Sequence, residues 1–314
     1  MSGRLPEAFV ERLTRIVAPA DLDGVIESFA VIKPVWARLN PLRAPIETTL
    51  ADPEIAALEP VRVPGHPTAV RFDPSRREAL TRSAAASDGR LYVQSLSSQC
   101  AAPILGPHPE QTVLDLAAAP GGKTLHLAAL MENRGRLSAV ERVRERMFRL
   151  ARNLKLGGVT IAKTYLMDGR DVARKTPDRF DRVLLDAPCS SEARLRVGDE
   201  ESLRYWSPRK IAEQSRKQLG LLTAGLVATR PGGRLLYATC SLAPEENERT
   251  VAGALEHFGG RVELLPFEVP AVATRPGLTA WEGDRYDESL ALTRRILPNA
   301  EVDGFYLALM TKHG

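Results

Sequence analysis

Cysteine is scarce in this chain, and long apolar runs are absent from it. The 314 residues include three cysteines and five histidines, and neither type recurs at the spacings of a disulfide framework or a metal site. No apolar stretch approaches the roughly 20 residues that a membrane-spanning helix needs. These absences argue against a disulfide-stabilised secreted protein, a membrane protein and metal catalysis.

The N-terminal residues lack the features of a targeting segment. The opening stretch MSGRLPEAFVERLTRIV has no continuous apolar core, and Glu7 and Glu11 interrupt a pattern that would otherwise suit a basic transit peptide. We therefore expect a cytoplasmic protein that has no membrane contact. Two separate expectations are that it holds no metal and that it acts as a monomer.

The net charge says little about the binding partner. The chain carries a formal charge of +4, and arginine, the main basic residue, can bind two phosphate oxygens with its planar guanidinium group. A high-GC genome would produce the same arginine content together with the many alanines and prolines. Composition therefore leaves a nucleic-acid partner open without requiring one.

Residues 1–88 read as a small α/β subdomain. Apolar residues recur at helical or strand spacing in short segments that proline and glycine interrupt. The predicted elements are helices over 4–17, 21–31 and 46–58, strands over 35–39, 61–63 and 70–72, and a loop over 83–90.

Residues 89–314 show a regular alternation of strands and helices. This alternation predicts a mostly parallel sheet with helices on both faces. In such folds ligands lie beyond the carboxyl ends of the strands. The predicted strands are 112–117, 136–141, 159–166, 181–186, 233–241 and 304–312, and the predicted helices are 123–131, 144–157, 208–229 and 244–258.

The loop after the first of these strands is rich in small residues. Small residues let the backbone approach a ligand closely, and the N–H groups of a helix N-terminus bind a carboxylate or phosphate. The loop misses the phosphate-binding pattern G-x-x-x-x-G-K-[ST] only at its first position, so a nucleoside triphosphatase is an alternative. Its residues are Ala117, Ala118, Ala119, Pro120, Gly121, Gly122 and Lys123.

Acidic residues follow the next three strands. Glu141 ends the second strand, Asp168 follows the third, and Asp186 ends the fourth. A carboxylate after the second strand can accept hydrogen bonds from both ribose hydroxyls, and Asp168 is placed to contact an adenine amino group. Each acid alone is equally well explained as a helix cap. Together they would repel a triphosphate but fit an adenosyl nucleoside, so we expect S-adenosylmethionine as the cofactor.

Two of the cysteines follow strands that should be neighbours in the sheet. Cys189 lies in the segment DAPCS and Cys240 in the segment TCS. A lone buried cysteine is usually inert packing, and that is the interpretation for Cys100 in SSQCAAPIL. Two cysteines at adjoining strand ends instead indicate covalent chemistry.

Cytosine C5 methylation explains why thiols would be needed there. The C5 atom attacks a methylsulfonium only after a thiolate has added to C6, and a second group must then help to remove the C5 proton and expel the thiol. A free cysteine with a pKa of about 8.5 holds little thiolate at neutral pH, so the site should lower that pKa. Asp186 could bind the ring N3 or the exocyclic amine. The residues alone do not decide which cysteine is the nucleophile.

These segments together resemble the Sun (RsmB-type) family of RNA cytosine-C5 methyltransferases. The resemblance implies a Rossmann-like class I methyltransferase with a mostly parallel seven-stranded sheet in a catalytic domain over 89–314. It also implies a substrate-binding subdomain over 1–88. The matching segments are ARLNPLR (37–43), YVQSLSSQCAAPIL (92–105), DLAAAPGGKT (115–124), DAPCS (186–190), ATCS (238–241) and RILPNAEVDGFYLALMTK (295–312).

The same resemblance assigns roles to the candidate residues. It makes Cys240 the nucleophile and Cys189 the residue that assists release of the methylated product. It gives cofactor binding to the loop 117–123, Glu141, Asp168 and Asp186, although Lys123 could reach the target base instead. The implied substrate is RNA, ribosomal RNA in the first place, with transfer RNA and a catalytically silent RNA-binding factor as alternatives.

The chain departs from the family pattern directly after Cys189. Many members continue Pro-Cys-Ser with glycine, whereas this chain reads SSEARL over 190–195. The loop that runs on through Tyr205 and Trp206 is expected to border the substrate, so the choice of target is the property that this departure affects. Candidate phosphate contacts are Arg38, Arg43, Arg62 and Arg71.

Overall fold

The computed structural model of the protein describes residues 4–204 and 206–314. Tyr205, which was expected to border the substrate, lies outside these residues. The helices are α1 Glu7–Ile16, α2 Pro19–Ser28, α3 Ile46–Leu50, α4 Pro53–Ala56, α5 Arg77–Arg82, α6 Ala84–Ser87, α7 Leu96–Gln99, α8 Ala101–Leu105, α9 Gly122–Leu130, α10 Arg144–Leu156, α11 Val172–Lys175, α12 Glu200–Arg204, α13 Pro208–Ala228 and α14 Glu248–Phe258.

The strands form a large mixed sheet, a small antiparallel sheet and a short hairpin. Among the helices in the described ranges, none is long and apolar enough to cross a membrane. The strands are β1 Val35–Leu39, β2 Val61–Val63, β3 His66–Phe72, β4 Leu91–Val93, β5 Thr112–Asp115, β6 Arg136–Glu141, β7 Ala162–Leu166, β8 Phe180–Asp186, β9 Thr229–Thr239, β10 Val262–Leu264, β11 Arg275–Pro276, β12 Ala280–Trp281, β13 Asp284–Arg285, β14 Arg294–Ile296 and β15 Phe305–Lys312.

The larger sheet confirms the predicted fold class. Its order is β11-β14-β15-β9-β8-β5-β6-β7, and β10 also pairs with β15. The five strands from β9 to β7 run parallel, and β15 lies antiparallel to β9. The seven strands from β14 to β7 are the expected Rossmann-like set, to which β10 and β11 add short edges within the described residues.

Helices cover both faces of this sheet. Successive side chains of a strand point to opposite faces, so Val183 and Leu185 pack into one apolar cluster with residues of α13 and α14. Leu184 packs into a second cluster with residues of α8 and α9. Burial on both faces explains why β8 reads as a continuous apolar run in the sequence.

The small sheet has the order β2-β3-β1-β4. Its last strand, β4, follows the boundary proposed between 1–88 and 89–314. In addition, α1 and α2 pack against Leu195, Leu242 and Trp281 of the larger part. The division at residue 88 remains a prediction, and the two N-terminal helices pack against the larger part.

Two predicted segments differ in type from the observed structure, and the helix predicted over 244–258 begins only at Glu248. The expected helix over 46–58 is two helices, α3 and α4, because Pro53 starts a new helix that the Asp52 side chain caps. The expected loop over 83–90 contains α6, which the Ser83 side chain caps.

A buried ion pair ties β14 to α14 and to the loop after β9. Arg295 Nε donates to Glu248 Oε1 at 2.6 Å, and Arg295 Nη1 donates to the Leu242 carbonyl at 2.9 Å. A second contact joins Arg295 Nη2 to Glu248 Oε2. Glu248 is 0% exposed and Arg295 is 4% exposed, so removal of either partner leaves the other charge buried without compensation.

We predict that Glu248→Ala lowers the free energy of unfolding by about 3–5 kcal/mol, the cost of leaving one buried partner unpaired. Urea denaturation followed by circular dichroism measures the change. The matched control is Glu47→Ala, which breaks the exposed Arg62–Glu47 pair of 2.7 Å and should cost less than about 1 kcal/mol. Equal losses in the two variants would contradict the prediction.

Candidate active site

The two predicted cysteines meet at the carboxyl ends of β8 and β9. These strands are parallel neighbours in which Asp186 lies opposite Ala238, so the loops that follow them start side by side. Cys189 Sγ and Cys240 Sγ are 3.2 Å apart. Cys100 is fully buried between α7 and α8, where burial raises its pKa to about 12.

The contact between the thiols shifts their pKa values in opposite directions. A hydrogen bond with Cys189 lowers the pKa of Cys240 to about 6, and the positive charge of Arg194 acts in the same direction against the effect of burial. The same hydrogen bond, together with burial, raises the pKa of Cys189 well above its ordinary value. These directions favour the thiolate at Cys240 and the proton at Cys189.

Glu246 links the two cysteine loops through hydrogen bonds to both. Its carboxylate accepts hydrogen bonds from the Ser190 backbone N–H at 2.9 Å, from Gln218 Nε2 at 2.7 Å and from Ser241 Oγ at 2.8 Å. Ser190 and Ser241 each follow one of the cysteines, and their hydroxyls lie 3.1 Å apart. Burial raises the pKa of Glu246 to about 7.

Glu192 forms a second link between the loops. Its carboxylate accepts from the Leu242 backbone N–H at 3.0 Å and from Trp206 Nε1 at 2.8 Å, and it lies 3.1 Å from Ser241 Oγ. Sequence reasoning missed Glu192, Glu246 and Gln218 as parts of the site. The available signal was the position of both acids, each within six residues of a candidate cysteine.

One cavity holds most of the predicted cofactor residues. It has a volume of about 540 Å³ and is lined by Ala117, Ala119, Pro120, Glu141, Asp168 and Asp186, and also by both active-site cysteines. Glu141 is buried, and its Oε1 accepts from the Val143 backbone N–H at 2.8 Å. Asp168 faces the same cavity but is engaged by Arg170 at 2.8 Å, which holds the pKa of that carboxyl down at about 2.

A second cavity of about 630 Å³ holds the other members of the predicted set. Ala118, Gly122 and Lys123 line it, whereas Gly121 lines neither cavity. Gly121 instead precedes α9 in a left-handed conformation (φ 109°) that favours glycine. The two cavities meet at Ala117, Ala119, Pro120, Asp186 and Arg194.

The glycine loop packs tightly against the small sheet. A Cβ atom at Gly122 would lie 2.7 Å from Tyr92 Cε1, so glycine is needed for this approach of α9 to β4. Arg38 donates to the Gly122 carbonyl at 3.3 Å from a fully buried position, where burial lowers its pKa to about 9. The small sheet therefore supports the loop that separates the two cavities.

The contacts of Lys123 and Thr124 disfavour the triphosphatase alternative. Lys123 Nζ donates to Asp186 Oδ2 and to Ser98 Oγ, both at 2.6 Å. The Thr124 hydroxyl is fully buried and donates to Asp115 Oδ2 at 2.7 Å. In a phosphate-binding loop, the corresponding lysine reaches the phosphates and the hydroxyl binds magnesium, and neither group is free to do so here.

The structure places the four candidate phosphate-binding arginines in different surroundings. The expectation for Arg38 is wrong, because its guanidinium is buried beneath the glycine loop. Arg43 donates to the Lys155 and Leu156 carbonyls at the end of α10. Arg62 and Arg71 form exposed ion pairs with Glu47 and Glu301, respectively. A phosphate would have to displace these partners.

Comparison with known proteins adds family relationships to this geometry. A family model described as 16S rRNA methyltransferase RsmB/F matches residues 102–311. The tRNA (cytosine(49)-C(5))-methyltransferase of Pyrococcus abyssi (strain GE5 / Orsay) is 38% identical over 225 residues, which cover 71% of this chain and 71% of that relative. The ribosomal RNA small subunit methyltransferase F of Erwinia tasmaniensis is 34% identical over 280 residues.

The length of the match differs between these relatives. The alignment with the Erwinia tasmaniensis protein covers 88% of this chain but 58% of that relative. The corresponding share is 63% for the methyltransferase F of Cronobacter sakazakii and 55% for that of Vibrio campbellii. The chain thus spans less than two thirds of the length of these ribosomal RNA relatives.

Solved structures show the same fold. A methyltransferase homolog protein from Pyrococcus horikoshii superposes with a TM-score of 0.78 at 28% identity, over 98% of this chain and 100% of that one. The crystal structure of NSun6 from Pyrococcus horikoshii with SFG superposes with a TM-score of 0.81 at 21% identity, over 98% of each chain. The resemblance to the Sun family is confirmed, and the chain belongs to the 16S rRNA methyltransferase RsmB/F family.

Proposed function

We propose that this protein transfers a methyl group from S-adenosylmethionine to C5 of a cytosine in RNA through a covalent bond between Cys240 and C6. The observation that carries the proposal is the pair of thiols, 3.2 Å apart, which line the 540 Å³ cavity; this cavity meets the second one at Asp186 and Arg194. A covalent methyl transfer to a base needs one cavity for the methyl donor and one for the base, with a nucleophile where they meet. Methylation of an amine or hydroxyl would need no thiolate.

The 540 Å³ cavity fits the proposed cofactor. Its volume lies within the range of about 300–1,000 Å³ that is usual for small-molecule sites. Glu141, already held by a backbone N–H, would accept the ribose hydroxyls, and Asp168 would accept the adenine amino group in place of part of its contact with Arg170. Ala117 and Ala119 leave the adjoining wall free of bulky side chains. When bound, the cofactor supplies an electrophilic methyl group.

The other cavity is the proposed place of the cytosine. Asp186 and Lys123 line it and form a charged pair of 2.6 Å, which can hold the ring N3, the exocyclic amine or the O2 atom of a base. A base can enter such a cavity only from a single strand or after it has been flipped out of a duplex. An unpaired or flipped cytosine is therefore the substrate.

The protonation states of the two thiols assign each cysteine to a step of the reaction. The Cys240 thiolate adds to C6, and the displaced electron pair makes C5 nucleophilic so that C5 accepts the methyl group. Removal of the C5 proton by a base restores the double bond and breaks the bond between C6 and sulfur. Cys189, protonated and 3.2 Å away, donates a hydrogen bond or its proton to the departing Cys240 sulfur and so assists product release.

The relatives of this chain act on two classes of RNA. The Pyrococcus abyssi relative acts, by its name, on tRNA, and the methyltransferase F relatives act on small-subunit ribosomal RNA. We favour ribosomal RNA because the family model carries that description. A catalytically silent RNA-binding factor is disfavoured because the cysteines and the charged pair are all in place.

The decisive experiment uses purified protein, methyl-labelled S-adenosylmethionine and total RNA from cells that lack the gene. We predict that the label is recovered as 5-methylcytidine in one RNA size class, which also distinguishes ribosomal from transfer RNA. Digestion of size-fractionated RNA followed by chromatography measures it. Binding of the cofactor without any transfer would instead support the silent RNA-binding factor.

We predict that Cys240→Ser reduces methyl transfer at least about a thousandfold, as loss of a covalent nucleophile does in other enzymes, because a serine hydroxyl is not ionised at neutral pH. Calorimetry should show that cofactor binding survives. Cys100→Ala is the control, since Cys100 lies outside both cavities, and it should retain activity. Wild-type turnover in Cys240→Ser would refute the assignment of the nucleophile.

We predict that Cys189→Ala accumulates a covalent complex of enzyme and RNA. Addition and methyl transfer proceed in this variant, but the Cys240 sulfur then departs without assistance. A denaturing gel with labelled RNA measures the complex. The double variant Cys189→Ala/Cys240→Ser is the matched control and should form none. If both variants bind RNA and neither forms the complex, Cys189 does not act in product release.

A further inference from the structure

The loop after Cys189 fixes an arginine next to Cys240. Residues Glu192–Arg194 form one turn of 3-10 helix. Within this turn the Ala193 backbone N–H donates to the Cys240 carbonyl at 3.1 Å, and the Arg194 backbone N–H donates to the Ser191 carbonyl at 2.9 Å. The backbone of Arg194 is therefore held against the segment that carries the thiolate.

Two further features keep this turn in place. Ser191 adopts a left-handed conformation (φ 63°), which gives the chain the sharp bend after Cys189. Glu192, 1% exposed, binds the Leu242 backbone on one side and the Trp206 indole on the other. The SSEARL sequence thus forms an ordered connection between the two cysteine loops where many family members have glycine.

Arg194 lines both cavities where they meet and is exposed to solvent. It lines the cofactor cavity together with Cys189 and Cys240, and it also lines the base cavity. Across residues 4–204 and 206–314, its guanidinium group forms no hydrogen bond or ion pair. Its neighbour Arg196 is different, because Arg196 Nη2 donates to Asp303 at 2.6 Å. Arg194 therefore carries a positive charge that no acid in these ranges pairs with directly.

The charges around Arg194 leave Cys240 as its counterpart. Asp186 is paired with Lys123 at 2.6 Å, and Asp303 is paired with Lys33 and with Arg196. Glu246 faces Cys189 from the loop after β9 and is bound by Ser190, Gln218 and Ser241. The Cys240 thiolate is the largest electrostatic influence on Arg194, ahead of Asp186, Cys189 and Asp303, and it raises the Arg194 pKa.

We propose that Arg194 is the cation that keeps the Cys240 sulfur ionised before it attacks the base, at the point where the base and the methyl donor meet. The inference rests on the proposed function in taking Cys240 as the nucleophile. The hydrogen bond from Cys189 and the charge of Arg194 act on the sulfur from two directions. The hydrogen bond needs the Cys189 proton, whereas the charge of Arg194 still acts on the sulfur after that proton has moved.

The test measures the thiolate directly in the free protein. The rate at which iodoacetamide alkylates Cys240, read from its peptide by mass spectrometry across pH 4.5–9, gives the pKa of the thiol. We expect a midpoint near 6 for the parent protein and a rise of about one pH unit or more in Arg194→Met, the size of effect that one nearby charge has on a titrating group. Arg194→Lys should restore most of the shift.

The matched control is Arg136→Met. Arg136 is exposed at the start of β6, and the amino ends of the parallel strands lie away from the carboxyl ends that carry the cysteines, so this variant removes one positive charge without changing the site. Its midpoint should equal that of the parent. An unchanged midpoint in Arg194→Met would overturn the proposal, and Arg194→Gln repeats the test if the methionine variant fails to fold.

Methyl transfer in the same proteins separates this inference from the proposed function. Loss of activity in Arg194→Met should be greater at pH 6 than at pH 8, because a higher pH restores the thiolate without the arginine. A parent protein that methylates RNA, together with an unshifted midpoint in the variant, means that only the Arg194 proposal fails. If the midpoint shifts in Arg194→Met but the parent protein methylates no RNA, only the proposed function fails.

Discussion

The parallel pairing of β8 with β9 is the constraint on which the site depends. Because Asp186 lies opposite Ala238, the loops that leave these strands run side by side and bring two sulfur atoms to 3.2 Å. A change of this register would move one cysteine loop along the sheet relative to the other and separate the two sulfur atoms. The pairing of β8 with β9 therefore sets the relative position of the cysteines.

Buried acids maintain this arrangement. Glu246 and Glu192 bind backbone N–H groups and hydroxyls of both cysteine loops, and burial raises the pKa of each acid. A buried polar group is stable only when its hydrogen bonds are made, so each acid favours the one conformation of the loops that satisfies it. The hydrogen bond between the thiols and the positive charge of Arg194 lower the pKa of Cys240, whereas the same hydrogen bond, burial and the charge of Glu246 raise the pKa of Cys189.

The small sheet contributes to the site without supplying a reactive group. Arg38 and Tyr92 pack against Gly122 and so hold the loop that forms the wall between the cavities. Lys123, the residue after this glycine, donates to Asp186. One loop of seven residues therefore borders both cavities: Ala117 and Ala119 line both, and Lys123 lines only the cavity proposed for the base.

The sequence by itself determined the order of strands and helices, the glycine-rich loop, the acids at the strand ends and the two candidate cysteines, because all of these follow from local periodicity and composition. It did not reveal that Arg38 is buried, that Glu192 and Glu246 join the cysteine loops, or that Arg194 faces Cys240. Burial, pairing and pKa depend on distances between residues that are far apart along the chain. Only the tertiary structure sets those distances, because the packing of the sheet decides which loops meet.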